Sequence, residues 1–160
     1  MKKKLLLLTL ILFNTFSVTV KAEELPACYV DDSIVEYARE LQEEYDIAAS
    51  MLIAIAEVES AGKPSVISSD GKCKGLMQVS EIHNKAHENL LDPYVNMRIA
   101  TELLAELRDQ YGDPYIVLAH YHGESKVEQR ANSCKWDSFT YSKKVCQLEK
   151  EISKEWDGRE

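Results

Sequence analysis

The hydrophobic pattern is strongest over residues 48–58, where Ser50 and Glu57 are the only polar residues. A segment of helical length that is apolar on nearly every side predicts a buried helix rather than a surface helix. Glu59 follows directly, near the C-terminal end of this helix, and Gly62 is placed to end it. The rest of the chain is expected to pack around this segment.

Amphipathic spacing predicts further helices on both sides of the buried one. The capping residues Asp31-Asp32-Ser33 begin a helix that runs to about Tyr45, and Asp46 is expected to cap the buried helix after it. Asp92-Pro93 puts a cap residue ahead of a proline at the first helical position, which predicts a helix to about Tyr111. Both helices carry apolar residues at intervals of three and four.

The C-terminal third continues the helical pattern. Gly112-Asp113-Pro114 ends the preceding helix and caps a short apolar one over residues 115–121. A last helix is expected to begin at Ser138. Its apolar positions follow the helical period: Tyr141, Val145, Leu148 and Ile152.

Between the helices the pattern is irregular. Residues 61–74 are predicted to form a loop or a very short hairpin around Val66-Ile67, the only β-branched pair there. A short helical turn is expected over residues 76–79, and a polar loop over residues 123–137. The fold class is therefore all-α: one compact helical domain with at most a very short β-hairpin.

The first 22 residues have the features of a secretory signal peptide. Lys2, Lys3 and Lys4 precede an apolar stretch, and Ala22 is a small residue at the expected cleavage point. The sequence thus predicts an exported protein, periplasmic or secreted, with one domain over residues 23–160 and a core over about 35–148. About 138 residues suffice for one domain and are too few for two.

Charge narrows the range of partners. The chain has 19 Lys and Arg against 27 Asp and Glu, a formal net charge of −8; residues 1–22 hold four lysines and no acid, so the remainder carries −12. Nucleic acid is excluded as a partner, because the basic patch that phosphate binding requires is missing. An anionic wall polymer would have to be held by hydrogen bonds and stacking.

Four cysteines follow the predicted cleavage point. An even number in a small exported domain suggests two disulfides, with three connectivities open. Cys28–Cys146 would join the two ends of the domain, and Cys73–Cys134 would fasten two loops. A zinc site is the competing interpretation, but no Cys-x-x-Cys pair is present.

Glu59 is the candidate for chemistry. On a 3.6-residue period it lies on the stripe of Leu52, Ile55 and Ala56, so its carboxyl leaves the helix from an apolar side. Desolvation favours the neutral form, which a general acid needs near neutral pH. Glu57 lies on a different side and is the weaker candidate. The alternative is a glutamate without function in a last helical turn.

Two short motifs at a fixed separation favour a catalytic role for Glu59 over a glutamate without function. Glu59-Ser60, followed about fifteen residues later by Gly75-Leu76-Met77-Gln78, resembles the catalytic core of the lytic transglycosylases of the SLT type, which have a lysozyme-like fold with an active-site cleft. Asp92-Pro93-Tyr94-Val95-Asn96 resembles the Asp-Pro-x-x-Asn segment of that family, with Ala100 in place of its usual Gly. Further resemblance covers Leu118 to Tyr121 and Tyr141 to Val145. One departure is His122, where the family has Asn.

The resemblance implies an activity and a substrate. Glu59 would protonate the glycosidic oxygen between N-acetylmuramic acid and N-acetylglucosamine of peptidoglycan. As a carboxylate it would then remove the proton of the muramyl C6 hydroxyl, which attacks C1 and closes a 1,6-anhydro ring. The N-acetyl group of the substrate can stabilise C1, so one protein carboxylate suffices and no cofactor or metal is expected. A monomer is expected, and an assembly partner in the cell envelope is left open.

The resemblance also supplies candidate substrate-binding residues. Ser60 and Gln78 can hydrogen-bond acetamido or hydroxyl groups, and Tyr121 and Tyr141 offer a stacking face and a phenolic donor. Gly75 and Met77 complete this set as parts of the Gly-Leu-Met-Gln motif. A buried amide bonded to backbone is the alternative for Gln78, and a core aromatic for Tyr121.

Three rival functions remain open at this point. A water-using muramidase would need a second carboxylate, Asp70 or Asp92. A wall-binding assembly protein would keep the site and cleave little. A metal site could use histidines, although no His-Glu-x-x-His motif is present. The histidines in question are His83, His87, His120 and His122.

Overall fold

The computed structural model describes residues 30–132 and 139–158, which form six α-helices and one small hairpin. The helices are α1 (Asp32–Tyr45), α2 (Ala49–Ser60), α3 (Pro93–Tyr111), α4 (Pro114–Tyr121), α5 (Val127–Asn132) and α6 (Thr140–Asp157). The strands are β1 (Cys73–Lys74) and β2 (Val79–Ser80), and a single 3₁₀ turn, Glu81–His83, follows β2. The mostly helical class predicted from the sequence is confirmed.

Three helices begin at the aspartates that the sequence marks. The Asp31 carboxylate accepts a hydrogen bond from the Ser33 amide at the start of α1. Asp92 and Asp113 do the same for α3 and α4, each with a proline at the first helical position. These caps satisfy amides that have no partner within the helix, which is why the predicted starts are accurate.

Helix α2 is the centre of the core. Leu52, Ile53 and Ile55 are completely buried, and α2 packs against both α1 and α6. Burying one such side chain contributes about 1.5–3 kcal/mol relative to leaving it exposed. Helix α3 packs against α1 and α4, and α4 packs against α6, so these helices form one continuous packed set with α2.

The cap predicted for α2 is wrong. Asp46 adopts a left-handed backbone conformation at the C-terminal end of α1, and the residue before α2 is Ala48, whose side chain makes no cap. The Ala49 amide instead donates to the Gln42 side-chain oxygen over 2.7 Å. A residue from the preceding helix thus replaces the local cap.

The hairpin lies later than predicted. Cys73 pairs with Ser80 and Lys74 with Val79, whereas Ile67 contributes only an isolated bridge to Lys74. The helical turn expected over residues 76–79 is also wrong. Gly75 and Gln78 have φ angles of +82° and +50°, which a right-handed helix does not allow. Residues 75–78 are the turn that joins β1 to β2.

The loop predicted over residues 123–137 contains α5. Its one buried residue, Val127, packs with Ala119 and Phe139 in a small second cluster. The predicted start of the last helix, Ser138, lies outside the described residues, and α6 begins at Thr140.

Several predictions concern parts of the chain that are not described. The segment predicted as a signal peptide, Cys28 and Cys134 all lie outside the described residues. Within those residues, Cys73 and Cys146 are not bonded to each other. No helix between residues 30 and 132 or between 139 and 158 has the length and apolar character to span a membrane.

Candidate active site

Glu59 sits in the last turn of α2 with its side chain only 15% exposed. The Tyr141 hydroxyl, from the first turn of α6, donates to Glu59 Oε1 over 2.7 Å. Burial raises the pKa of Glu59, and the Tyr141 hydrogen bond and the nearby His122 and Lys144 side chains offset part of that rise. The result is a carboxyl that holds its proton to higher pH than an exposed glutamate does.

Tyr141 is suited to donate rather than to ionise. Burial and the neighbouring Glu59 carboxylate raise the pKa of its phenol far above the ordinary value. The His122 ring stacks on the Tyr141 ring, with centroids 4.1 Å apart and planes 8° apart. The Nδ1 atom of His122 lies 4.0 Å from Glu59 Oε1. Two aromatic rings and one carboxyl therefore form a compact group.

Tyr121 lies near this group but bonds elsewhere. Its hydroxyl donates to the Met77 carbonyl oxygen over 2.8 Å, and burial raises the pKa of the phenol well above its ordinary value. A neutral tyrosine in this position ties the 75–78 turn to the end of α4.

The 75–78 turn is held by two further side chains. The Ser60 hydroxyl, one residue after Glu59, donates to the Leu76 carbonyl oxygen over 2.6 Å. From α3, the buried Asn96 accepts from the Met77 amide over 2.7 Å and donates to the carbonyl oxygens of Lys74 and Leu90. Satisfying buried backbone groups in this way avoids a cost of about 1–3 kcal/mol for each.

The remaining motif residues are built into the turn itself. Met77 is completely buried, and the Gln78 side-chain nitrogen donates to the carbonyl oxygens of Gly75 and Val66. At Gly75 a β-carbon would overlap the Leu90 carbonyl oxygen and the Asn96 amide. The structure thus brings Tyr141 to Glu59 directly, and gives the other predicted site residues roles in the adjoining turn. Substrate contacts by these residues stay a prediction.

The rival carboxylates have structural partners. The Asp92 carboxylate caps α3. The exposed Asp70 accepts from the Ser68 hydroxyl over 2.7 Å and from the Lys72 amide, and these bonds lower the pKa of Asp70 to about 2. Asp70 therefore stabilises the tight turn before β1.

The histidines do not come together as a metal site. Among the described residues, no three His, Cys, Asp or Glu side chains are placed to hold a metal ion. His120 stacks on Tyr111, and its Nε2 lies 3.1 Å from Glu128. His122 points instead to Glu59.

Two residues have larger parts in the site than the sequence indicated. The sequence indicated His122 only as a departure from the family pattern and as one of four histidines that could hold a metal. Nothing in its local sequence shows which way its side chain points. Asn96 entered only as part of the Asp-Pro-x-x-Asn motif. The available signal was the spacing of Asn96 from the capped start of the helix, which places it on the inner face. A polar residue on that face needs hydrogen-bond partners.

Comparison with known proteins agrees with this arrangement. The family model described as the transglycosylase SLT domain matches residues 36–141, about two thirds of the chain. The chain belongs to the SLT family. Its helical architecture is the lysozyme-like one of SLT domains, and membership indicates a lytic-transglycosylase type of activity directed at peptidoglycan.

Two curated relatives of this SLT domain are bacterial proteins. Invasion protein IagB from Salmonella typhi is 27% identical over 122 residues, which cover 66% of this chain and 76% of that protein. Protein IpgF from Shigella flexneri is 27% identical over 110 residues, which cover 62% of this chain and 72% of that protein. The SLT domain is therefore similar to proteins of comparable length.

Proposed function

We propose that this protein is an exported peptidoglycan lytic transglycosylase that uses Glu59 as its single acid and base. The observation that carries the proposal is the buried Glu59 carboxyl, bonded to a neutral Tyr141 in a chain of the SLT family. A carboxyl that stays protonated toward neutral pH can act as a general acid there.

The first step breaks the glycosidic bond. Glu59 gives its proton to the oxygen between N-acetylmuramic acid and N-acetylglucosamine, so the leaving sugar departs as a neutral hydroxyl. Because Tyr141 donates to Oε1, the acidic proton is favoured on Oε2. The substrate's acetamido oxygen stabilises the positive charge that develops at C1.

The second step closes the anhydro ring. Glu59, now a carboxylate, takes the proton of the muramyl C6 hydroxyl as that oxygen attacks C1. The products are a 1,6-anhydromuramyl end and a free hydroxyl on the glucosamine, and Glu59 regains its proton. Water is not consumed, which distinguishes this reaction from hydrolysis.

The turn of residues 75–78 supports the site in this proposal. Its contacts with Ser60, Asn96 and Tyr121 fix the backbone beside Glu59. Sugar contacts by Gln78 and Met77 are what the resemblance to the family implies. Membership of the SLT family, whose substrate is peptidoglycan, supports a role at the cell envelope.

The test is a digest of purified peptidoglycan by the wild-type protein and by Glu59→Gln, with soluble products resolved by mass. We expect products lighter by one water than the corresponding reducing muropeptides from the wild type, and a loss of at least about a hundredfold in the variant. Glu57→Gln is the matched control. It makes the same change two residues before Glu59 on the same helix, and it should retain activity.

Three outcomes would contradict the proposal. Reducing-end products would indicate a muramidase that uses water. Equal activity of Glu59→Gln and wild type would remove Glu59 from the chemistry. Binding to peptidoglycan without any product from the wild type would indicate a wall-binding protein.

A further inference from the structure

His122 completes the group that Glu59 and Tyr141 form. It ends α4, its ring stacks on Tyr141, and its Nδ1 lies 4.0 Å from Glu59 Oε1. Its side chain is 48% exposed, so it lies between Glu59 and solvent. The resemblance to the family predicts a neutral amide here, whereas an imidazole can carry a positive charge.

We propose that His122 is a positioning residue that sets the protonation state of Glu59. The charged imidazole holds Glu59 as a carboxylate, and the neutral imidazole leaves it as the acid. For its effect on catalysis this inference rests on the proposed function, although the coupling between the two side chains does not.

The stacking on Tyr141 fixes the geometry of the pair. Tyr141 is held by its own hydrogen bond to Oε1, and a parallel ring 4.1 Å away restricts the orientation of His122. Its Nδ1 is therefore directed to the same carboxyl oxygen that Tyr141 contacts. A cation at this distance favours the carboxylate form of Glu59, the direction in which His122 acts on the pKa of Glu59.

The other groups that face Glu59 are two tyrosines, a cysteine and a lysine. Tyr141 and Lys144 face it from α6, Tyr121 from α4 and Cys73 from β1. Burial raises the pKa of both tyrosines and of the Cys73 thiol, so these three stay neutral. His122 and Lys144 are thus the two groups whose positive charge favours the carboxylate form of Glu59.

A positive charge on His122 then acts against the acid form of Glu59. Only the protonated Glu59 can give a proton to the glycosidic oxygen. His122 therefore lowers the pH at which the site loses its acid. A neutral residue at position 122 should extend activity toward alkaline pH, and a permanent cation should restrict it.

The experiment compares pH profiles of kcat/KM on peptidoglycan for wild type, His122→Asn, His122→Phe and His122→Lys. His122→Phe keeps a ring against Tyr141 without charge and so separates charge from stacking. We expect the alkaline limb to move to higher pH in both neutral variants and to lower pH in His122→Lys. The ratio of the activity at alkaline pH to the activity at acidic pH should change about fivefold or more. One unit charge 4 Å away has an effect of this size even with the dielectric constant of bulk water.

A second measurement does not depend on activity. The Glu59 carboxyl carbon is followed by ¹³C NMR against pH in wild type and His122→Asn, with its signal assigned from Glu59→Gln. A titration midpoint that rises in His122→Asn supports the inference even if the wild type releases no anhydro products, in which case only the proposed function fails. Unchanged midpoints, or variants that all keep the wild-type alkaline limb, would overturn it.

Discussion

At the scale of single residues, the central feature is a carboxyl held where its charge is disfavoured. Below the pKa of a glutamate in the unfolded chain, about 4.3, Glu59 is neutral in both states and costs nothing. As pH rises, the unfolded chain releases this proton before the folded one does, because burial raises the pKa of Glu59 in the fold. Stability is therefore lost as pH rises through the folded pKa.

Glu59→Gln should consequently stabilise the protein in a pH-dependent way. The amide has no charge to desolvate, and its oxygen can still accept the Tyr141 hydrogen bond. We expect the melting temperature to match the wild type at pH values below about 4 and to exceed it as pH rises, until the difference becomes constant above the folded pKa of Glu59. Each pKa unit between the two states is worth about 1.4 kcal/mol. Calorimetry across this range measures the difference, and Glu57→Gln is the control.

A melting-temperature difference that stays constant with pH would contradict this account of Glu59. It would mean that the substitution acts through packing, since the packing energy does not depend on pH over this range.

The sequence predicted the burial of Glu59 but not its environment. The helical period alone placed the carboxyl on the stripe of Leu52 and Ile55, and both are buried in the structure. Tyr141 is 82 residues away along the chain, and no local pattern indicates that the two side chains meet. The pairing depends on how α6 packs against α2, which only the resemblance to a family could suggest.

At the scale of elements, helices were predictable where capping residues and prolines stand at their ends. The aspartate caps and prolines of α3 and α4 are local signals, and the structure has them as expected. Strands β1 and β2 have two residues each, too few to show an alternating pattern. Helix α5 buries only Val127, so its sequence resembles a polar loop.

The turn between β1 and β2 provides a prediction at this scale. Gly75→Ala places a β-carbon against the Leu90 carbonyl oxygen and the Asn96 amide, and also forces alanine to adopt a positive φ. Gly71→Ala is the matched control, because Gly71 has a similar φ of +73° and open space around it.

We expect Gly71→Ala to cost about 1–2 kcal/mol for its backbone conformation alone. Gly75→Ala should cost a further ~1–3 kcal/mol for the forced packing, and should lower peptidoglycan cleavage as the turn is displaced. Urea denaturation measures both. Equal losses in the two variants would show that the close approach at Gly75 has no energetic consequence.

At the scale of the whole molecule, the excess of acidic residues governs how it meets its substrate. The formal net charge is −8 for the full chain. Peptidoglycan carries the carboxylates of its stem peptides, so long-range electrostatics oppose rather than assist the encounter. Binding then depends on short-range hydrogen bonds and stacking near Glu59.

Added salt should therefore improve substrate binding. Raising the ionic strength from about 0.01 M to about 0.1 M shortens the screening length from about 30 Å to about 10 Å. We expect KM for soluble glycan fragments to fall by about twofold or more over this range, with little change in kcat. A KM that rises with salt would indicate that a local basic surface attracts the substrate.

The anchoring of Met77 has a consequence for how the protein moves. Its amide is bonded to Asn96 of α3 and its carbonyl oxygen to Tyr121 of α4, while Ser60 of α2 holds the preceding carbonyl. Local opening of the 75–78 turn would break contacts with three helices at once. The free energy of this opening should therefore approach that of global unfolding. The 75–78 turn therefore cannot open and close over Glu59 as a flap. Any adjustment to different glycan chains has to come from other parts of the surface.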